Sequence, residues 1–259
     1  MARPSHQKCI ITLAYDGTHY FGWQKTKMGP SIQETLETAT LQITQERVIA
    51  EAASRTDRGV HAKGQVVAFS LQNRWWDPLV LQKALNALLP QDIRVTTVHT
   101  ASPLFHPTLQ ARYKEYHYFL CLGSVQNPAW RRYSWHFHSP VNREWVEEAA
   151  SHLLGTHDFR TFTNTPTKNP ICTLSSIRYT PLEGQRLRIS LQGDRFLYKM
   201  VRNLVGTLLY IGCGKLPRGA IPSLLQAKDR KRAGMTAPPQ GLFLHRVEYG
   251  EPTCSGEVG

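Results

Sequence analysis

Apolar and polar residues alternate along several short stretches of the chain, a two-residue period that is typical of strands burying one face. In the first stretch, Cys9, Ile11, Leu13 and Tyr15 share a face, which predicts a strand over residues 9–15. The same reading predicts strands over residues 47–54, 65–71 and 93–100.

Apolar residues spaced three and four positions apart predict two helices between these strands. Ser31 begins the first helix, because Glu34 stands at the spacing of a capping box. Asp77 and Pro78 begin the second, and its buried side is expected to carry Leu81, Leu85 and Leu88. The order strand, helix, strand, strand, helix, strand is that of a ferredoxin-like split βαβ unit.

The second half repeats this order with insertions, through strands over 111–122, 174–180, 186–192 and 242–249 and helices after Asn142 and over 200–211. We therefore predict an α/β protein of two ferredoxin-like, RRM-like halves that share a mostly antiparallel sheet, with the active site in the cleft between them. The predicted division is an N-terminal domain over 1–105, a C-terminal domain over 106–250 and a flexible tail over 251–259.

Charge narrows the class of partner. The 259 residues include 31 Lys and Arg against 19 Asp and Glu, a formal net charge of +12. Such an excess indicates a polyanionic partner, most often nucleic acid. The N-terminus has no apolar signal-peptide core, and the apolar run over 204–213 is too short to cross a bilayer, so no membrane association is expected.

The five cysteines are far apart and form no Cys-x-x-Cys pair, which favours a reducing cytoplasm over a disulfide framework or a zinc site. His136 and His138 have no evident third ligand, so we expect no metal site there.

The candidate chemistry lies in the stretch over residues 53–69, which holds the end of one predicted strand, a polar loop and the start of the next strand. Asp57 is its only carboxylate, and Arg55 and Arg58 flank it. Nearby cations favour the ionised carboxylate, which suits a nucleophile or a base acting on an anionic substrate. A solvated turn with a surface ion pair is the alternative interpretation.

Two further segments leave alternatives open. The aromatic loop over residues 20–24 is either a hydrophobic plug at a domain edge or a contact surface for RNA. The run over 228–232 holds four cations, and is either a solvated end or a phosphate track. Arg202 stands inside a mostly apolar helix, and is either a buried arginine that needs an anionic partner or an arginine on the solvated face.

Taken with the tandem halves, three motifs resemble the tRNA pseudouridine synthase A family. These are the loop Arg-Thr-Asp-Arg-Gly-Val-His over 55–61, the strand Lys-Glu-Tyr over 114–116 and the helix Met-Val-Arg-Asn-Leu-Val-Gly over 200–206. The similarity begins at Tyr15-Asp16-Gly17 and covers nearly the whole chain.

The resemblance implies isomerisation of uridine to pseudouridine in the anticodon stem-loop of tRNA, at positions 38, 39 and 40, by a cytoplasmic homodimer that uses no cofactor. It makes Asp57 the catalytic aspartate and Arg202 the basic residue paired with it. It also places Tyr116 against the target base and gives Arg55 the displacement of the target nucleotide.

One departure from the family is Arg58, which stands where alanine is common and adds a cation that either binds phosphate or crowds Arg202. Two other functions remain as alternatives. A non-catalytic tandem RRM-like RNA-binding protein would not need Asp57, and a metal-dependent nuclease would use Asp57, His61 and a third ligand.

Overall fold

A computed structural model describes residues 6–73 and 75–250. Across these residues, ten strands form one sheet and five α-helices pack against it. The predicted tail over 251–259 lies outside the described residues.

The first half follows the predicted order of elements, so that prediction is confirmed. Its elements are β1 (Gln7–Tyr15), α1 (Ile32–Thr44), β2 (Glu51–Ala52), β3 (His61–Leu71), α2 (Pro78–Leu88) and β4 (Ile93–Ala101). Ser31 and Asp77 cap the two helices as predicted, because the Ser31 side chain accepts from the Glu34 amide and the Asp77 side chain accepts from the Leu79 and Val80 amides.

The second predicted strand, over 47–54, is wrong in length, since β2 comprises only Glu51 and Ala52, which lie opposite Ala68 and Val67 of β3. The main chain of Ala50 bonds instead to side chains of α1: its amide donates to Glu37 at 2.9 Å, and its carbonyl accepts from Gln33 at 3.1 Å. The prediction for Leu88 is also wrong, because it is 50% exposed while the following Leu89 is buried.

The second half comprises β5 (Ala111–Cys121), β6 (Trp135–His136), α3 (Arg143–Ser151), β7 (Gly155–Asp158), β8 (Ile171–Leu182), β9 (Arg186–Gly193), α4 (Met200–Gly212), α5 (Ala220–Ala227) and β10 (Leu242–Tyr249). Its helix α4 is buried along almost its whole length, as its apolar composition predicts.

The two halves join through the pairing of β3 with β10, where Phe243 lies opposite His61 and Leu244 opposite Ala62. The strand order is β4-β1-β3-β10-β5-β9-β8-β7, and all pairs along it except β3 with β10 are antiparallel. The predicted α/β protein with a shared, mostly antiparallel sheet is therefore confirmed. The boundary between the halves near residue 105 remains a prediction.

This junction positions the candidate site. Strand β3 begins directly after the Asp57 loop, and Tyr116 of β5 lies opposite Leu244 of β10. The neighbouring strands β3, β10 and β5 thus bring the loop of the first half close to the tyrosine of the second half. In the described part of the chain, no helix combines the length and apolarity needed to span a membrane.

Candidate active site

The loop that carries Asp57 is held by main-chain hydrogen bonds on both sides. The Gln65 side chain donates to the Ser54 carbonyl at 2.5 Å and accepts from the Ser54 amide at 3.3 Å. The Trp23 amide donates to the Thr56 carbonyl at 3.0 Å. Within the loop, the Val60 amide donates to the Asp57 carbonyl at 3.1 Å, and Gly59 has a φ of 75°. The backbone of Asp57 is therefore fixed before any substrate binds.

The aromatic loop over residues 20–24 packs against the loop that carries Asp57. Tyr20 and Trp23 are only 6% and 2% exposed, which fits the interpretation of this loop as a hydrophobic plug. Gly22 packs so closely that a Cβ atom there would lie 2.6 Å from the Thr56 carbonyl oxygen. Phe21 stays partly exposed, and the Arg58 guanidinium lies 4.1 Å from the centroid of its ring.

Arg202 reaches Asp57 from the far half of the molecule. Its Nη1 atom donates to Asp57 Oδ2 at 2.7 Å, and its Nε atom donates to the Ala237 carbonyl at 2.7 Å. The Asp57 side chain is 17% exposed and that of Arg202 is 11% exposed. A charge-assisted bond between two largely buried groups fixes the carboxylate rotamer and leaves its second oxygen for other contacts.

The guanidinium is itself held in place by the segment before β10. The Ala237 amide donates back to the Arg202 carbonyl at 3.0 Å. Arg230 supports this segment, donating to the Gly234 carbonyl at 2.8 Å and to Asn203 Oδ1 at 2.9 Å. Arg230 therefore faces inward. For this member of the run over 228–232, the structure contradicts both earlier interpretations, the solvated end and the phosphate track.

Tyr116 belongs to β5, lies beside Asp57 and is 5% exposed. Its hydroxyl is 2.7 Å from Ser54 Oγ, and its ring meets the ring of Phe196 edge-on with centroids 5.0 Å apart. Burial raises the pKa of Tyr116, the hydrogen bond with Ser54 opposes this shift, and the negative charge of Asp57 adds to it. The phenol is therefore neutral at ordinary pH.

Asp57, Tyr116, Ser54 and Phe196 line a cavity of about 680 Å³, large enough for a nucleotide. Arg55 also lines it and is exposed, as an arm that reaches towards a substrate requires. Arg58 does not line this cavity, and its guanidinium lies over the ring of Phe21.

Two residues of the cavity were missed as functional groups by sequence reasoning. Ser54 bonds to Tyr116, and Lys114 donates to the Ala53 carbonyl at 2.7 Å. Burial lowers the pKa of Lys114 to about 8, and the positive charge of Arg195 adds to this effect. The signal for Lys114 was its spacing, because residues two apart on a strand share a face and Tyr116 was already singled out.

One group of potential metal ligands occurs in the described residues: Glu115, His117 and His245. Glu115 and His117 alternate with Tyr116 along β5 and so point to the opposite face of the sheet. His61, a ligand in the nuclease alternative, is fully buried, accepts from the Gly17 amide at 3.1 Å and contacts the Arg132 carbonyl at 2.9 Å. Both of its ring nitrogens are therefore already used.

By its fold and site, the chain is an α/β protein with an ion-paired aspartate in a cavity that also holds several cations. A family model described as tRNA pseudouridine synthase matches residues 11–110 and 149–250. The chain belongs to the tRNA pseudouridine synthase family.

Curated relatives agree with this membership over nearly the full length. The chain is 47% identical over 250 residues to tRNA pseudouridine synthase A 2 of Protochlamydia amoebophila (strain UWE25), covering 95% of both chains. It is 41% identical over 249 residues to tRNA pseudouridine synthase A of Chlamydia muridarum (strain MoPn / Nigg), covering 95% of this chain and 93% of the relative. Among solved structures, a Cbf5-Nop10-Gar1 complex matches 91% of this chain and 48% of that chain at 13% identity, with a TM-score of 0.41, a likeness too weak to bear on function.

Proposed function

We propose that this protein isomerises uridine to pseudouridine in the anticodon stem-loop of tRNA, at positions 38, 39 and 40. The proposal rests on the Asp57 carboxylate, whose Oδ2 atom lies 2.7 Å from Arg202 Nη1. Asp57 and Tyr116 line the same cavity. Family membership supplies the reaction, and the net charge of +12 fits a polyanionic substrate.

In this reaction the N1–C1′ bond of the nucleotide breaks, the base turns, and a C5–C1′ bond forms. The proton leaves C5 and N1 carries one in the product, so the formula is unchanged and neither a redox partner nor a cofactor is needed. The ionised Asp57 has three routes open: attack on C6 of uracil, attack on C1′ of ribose, or proton removal on a glycal route.

The other residues of the cavity bind and orient the nucleotide. The ring of Tyr116 offers a stacking surface, worth about 1–3 kcal/mol for a base. Arg55 has no salt bridge to a described residue, and its planar cation can enter the stem-loop as the target base leaves it. That insertion offsets part of the few kcal/mol that extruding a base costs.

The experiment compares the wild type with Asp57→Asn on tRNA transcripts, with pseudouridine mapped at single-nucleotide resolution. We expect the wild type to modify positions 38–40 and the variant to bind tRNA without modifying it. A non-catalytic RNA-binding protein would leave the transcript unmodified in both cases. Cleaved transcripts, or activity abolished by EDTA, would instead support the nuclease.

The proposal includes a cytoplasmic homodimer. Free thiols at Cys9, Cys121, Cys172 and Cys213 support a reducing compartment. Light scattering on the purified protein tests the oligomeric state, with an expected mass of twice 29.4 kDa. Fractionation of cells tests the location.

A further inference from the structure

A second cavity, of about 340 Å³, lies on the other side of the Asp57 loop from the candidate active site. Arg58 and Gly59 of that loop form one wall, and Arg131 and Arg132 form another. Successive residues of the loop line different cavities, since Asp57 and Val60 line the first and Arg58 and Gly59 the second.

The three arginines bring positive charge together without a matching negative charge. None of them forms a salt bridge with any residue in the described ranges 6–73 and 75–250. The nearby carboxylate of Asp16 is already engaged, because it accepts from the Thr18 amide and hydroxyl and from the Tyr133 hydroxyl. Three arginines that line one cavity favour an anion there.

The cavity is also built rigidly on both sides. Tyr133 donates to Asp16 Oδ2 at 2.8 Å, and His61 holds the Arg132 carbonyl at 2.9 Å, which ties the segment of Arg131 and Arg132 to the start of the sheet. On the opposite wall, the Gly59 amide donates to the Tyr20 carbonyl at 3.3 Å, and the Arg58 side chain rests on Phe21. Preorganised cations lose less entropy on binding than mobile ones.

The lining favours the backbone of a nucleic acid over a base. Besides the arginines it contains Thr18, Pro239 and Gln240, and no aromatic ring on which a base could stack. Because Arg58 directly follows Asp57, the second cavity adjoins the candidate active site along the loop.

We propose that Arg58, Arg131 and Arg132 form a phosphate-binding subsite that holds the RNA backbone next to the nucleotide entering the active site. This inference rests on the proposed function and names a part of the substrate that the catalytic residues do not touch. Guanidinium groups suit it because they bind phosphate oxygens in pairs.

The test measures tRNA affinity and saturated single-turnover rate for Arg58→Ala and for the double variant Arg131→Ala/Arg132→Ala, at several salt concentrations. Arg178→Ala is the control, since Arg178 is exposed on β8, outside both cavities and without a salt bridge to a described residue. We expect Kd to rise about tenfold for Arg58→Ala and the slope of log Kd against log salt to fall by about one. The rate at saturation should stay within about twofold of wild type.

A second measurement identifies the ligand as a phosphate. One backbone phosphate at a time, within three nucleotides of the target, is replaced by a neutral methylphosphonate. At one position the replacement should weaken binding by the wild type and have no further effect on Arg58→Ala. Additive losses at every position would overturn the subsite, as would affinities and salt slopes equal to those of Arg178→Ala. Arg58→Lys should keep most of the salt slope.

The outcomes separate this inference from the proposed function. If the wild type modifies tRNA and the arginine variants behave like the control, the subsite is wrong and the function stands. If the wild type modifies nothing but the variants still lose affinity and salt slope, the function is wrong and the subsite remains an RNA contact. Unfolding midpoints equal to wild type exclude a folding defect.

Discussion

Arg202 Nη1 lies 2.7 Å from Asp57 Oδ2, although the two residues are 145 positions apart in the chain. One belongs to the loop before β3 and the other to the first turn of α4, so their contact exists only when both halves of the sheet have assembled. The candidate active site is therefore a product of the whole fold and not of either half.

Replacing Arg202 should damage both stability and activity. In Arg202→Met the Asp57 carboxylate loses its cation, which costs about 2 kcal/mol for a pair that is not completely buried. We expect kcat to fall about 10³-fold, because the carboxylate is no longer oriented. Urea unfolding and single-turnover rates at saturating enzyme measure the two effects.

Arg202→Lys is the matched control. It keeps the charge but cannot hold Asp57 and the Ala237 carbonyl together as the guanidinium does, so a loss of about 10²-fold is expected. Full activity in Arg202→Met would contradict the role given to this pair.

A methyl group at Gly22 should disturb the Asp57 loop from outside. Gly22 has a φ of 97°, and an added Cβ would lie 2.6 Å from the Thr56 carbonyl oxygen. Gly22→Ala therefore combines backbone strain, about 1 kcal/mol, with a clash of about 1–3 kcal/mol. Because the displaced carbonyl adjoins Asp57, kcat/KM should fall at least about tenfold.

The control for Gly22 isolates the clash from the strain. Gly184 has a φ of 70°, and an added Cβ there would meet nothing within 4 Å. In urea unfolding, Gly184→Ala should lower the free energy of unfolding only by the cost of the backbone strain. The variant should keep the wild-type kcat/KM. Equal behaviour of the two alanine variants would show that the loop does not depend on its packing against Gly22.

Much of the fold could be predicted from the sequence because its signals are local. Alternation marked β1, and caps at Ser31 and Asp77 marked two helices. The length of β2 could not be predicted, since Ala50 turns its hydrogen bonds towards Gln33 and Glu37 of α1, a choice that depends on how the helix packs.

The candidate site divides in the same way. The Asp57 loop is a contiguous motif and stood out alone, whereas its pairing with Arg202 came from a resemblance and not from any spacing. The direction of Arg58 and the burial of Lys114 depend on neighbours from distant segments, Phe21 for the first and Ala53 for the second. No local pattern encodes such contacts.

Tyr116→Phe should separate the ring of Tyr116 from its hydroxyl. The variant keeps the stacking surface and the edge contact with Phe196 but loses the bond with Ser54. We expect tRNA affinity to stay within about twofold and kcat to fall about 10²-fold, the usual size of a lost proton-transfer or hydrogen-bonding group. Stopped single-turnover assays report kcat, and filter binding reports Kd.

Ser54→Ala provides the comparison, since it removes the partner of the hydroxyl and leaves the phenol itself. A smaller loss than in Tyr116→Phe is expected. Because burial raises the pKa of Tyr116, no fall in rate between pH 7 and pH 9 should arise from its ionisation. An unchanged kcat in Tyr116→Phe would limit this residue to stacking.

Lys114 should make tRNA binding depend on pH in a range where most lysines do not titrate. Burial lowers its pKa from 10.5 to about 8, so the side chain is cationic below about pH 8 and neutral above it. An RNA phosphate favours the cationic form, and affinity contributed by Lys114 is therefore present at pH 7 and lost as the pH rises through about 8.

We expect Kd of the wild type to rise about three- to tenfold between pH 7 and pH 9.5 at constant ionic strength. Lys114→Arg stays charged throughout and should show a nearly flat profile, while Lys114→Met should be flat and weaker at pH 7. Parallel profiles for all three proteins, measured by fluorescence anisotropy, would assign the pH dependence to another group.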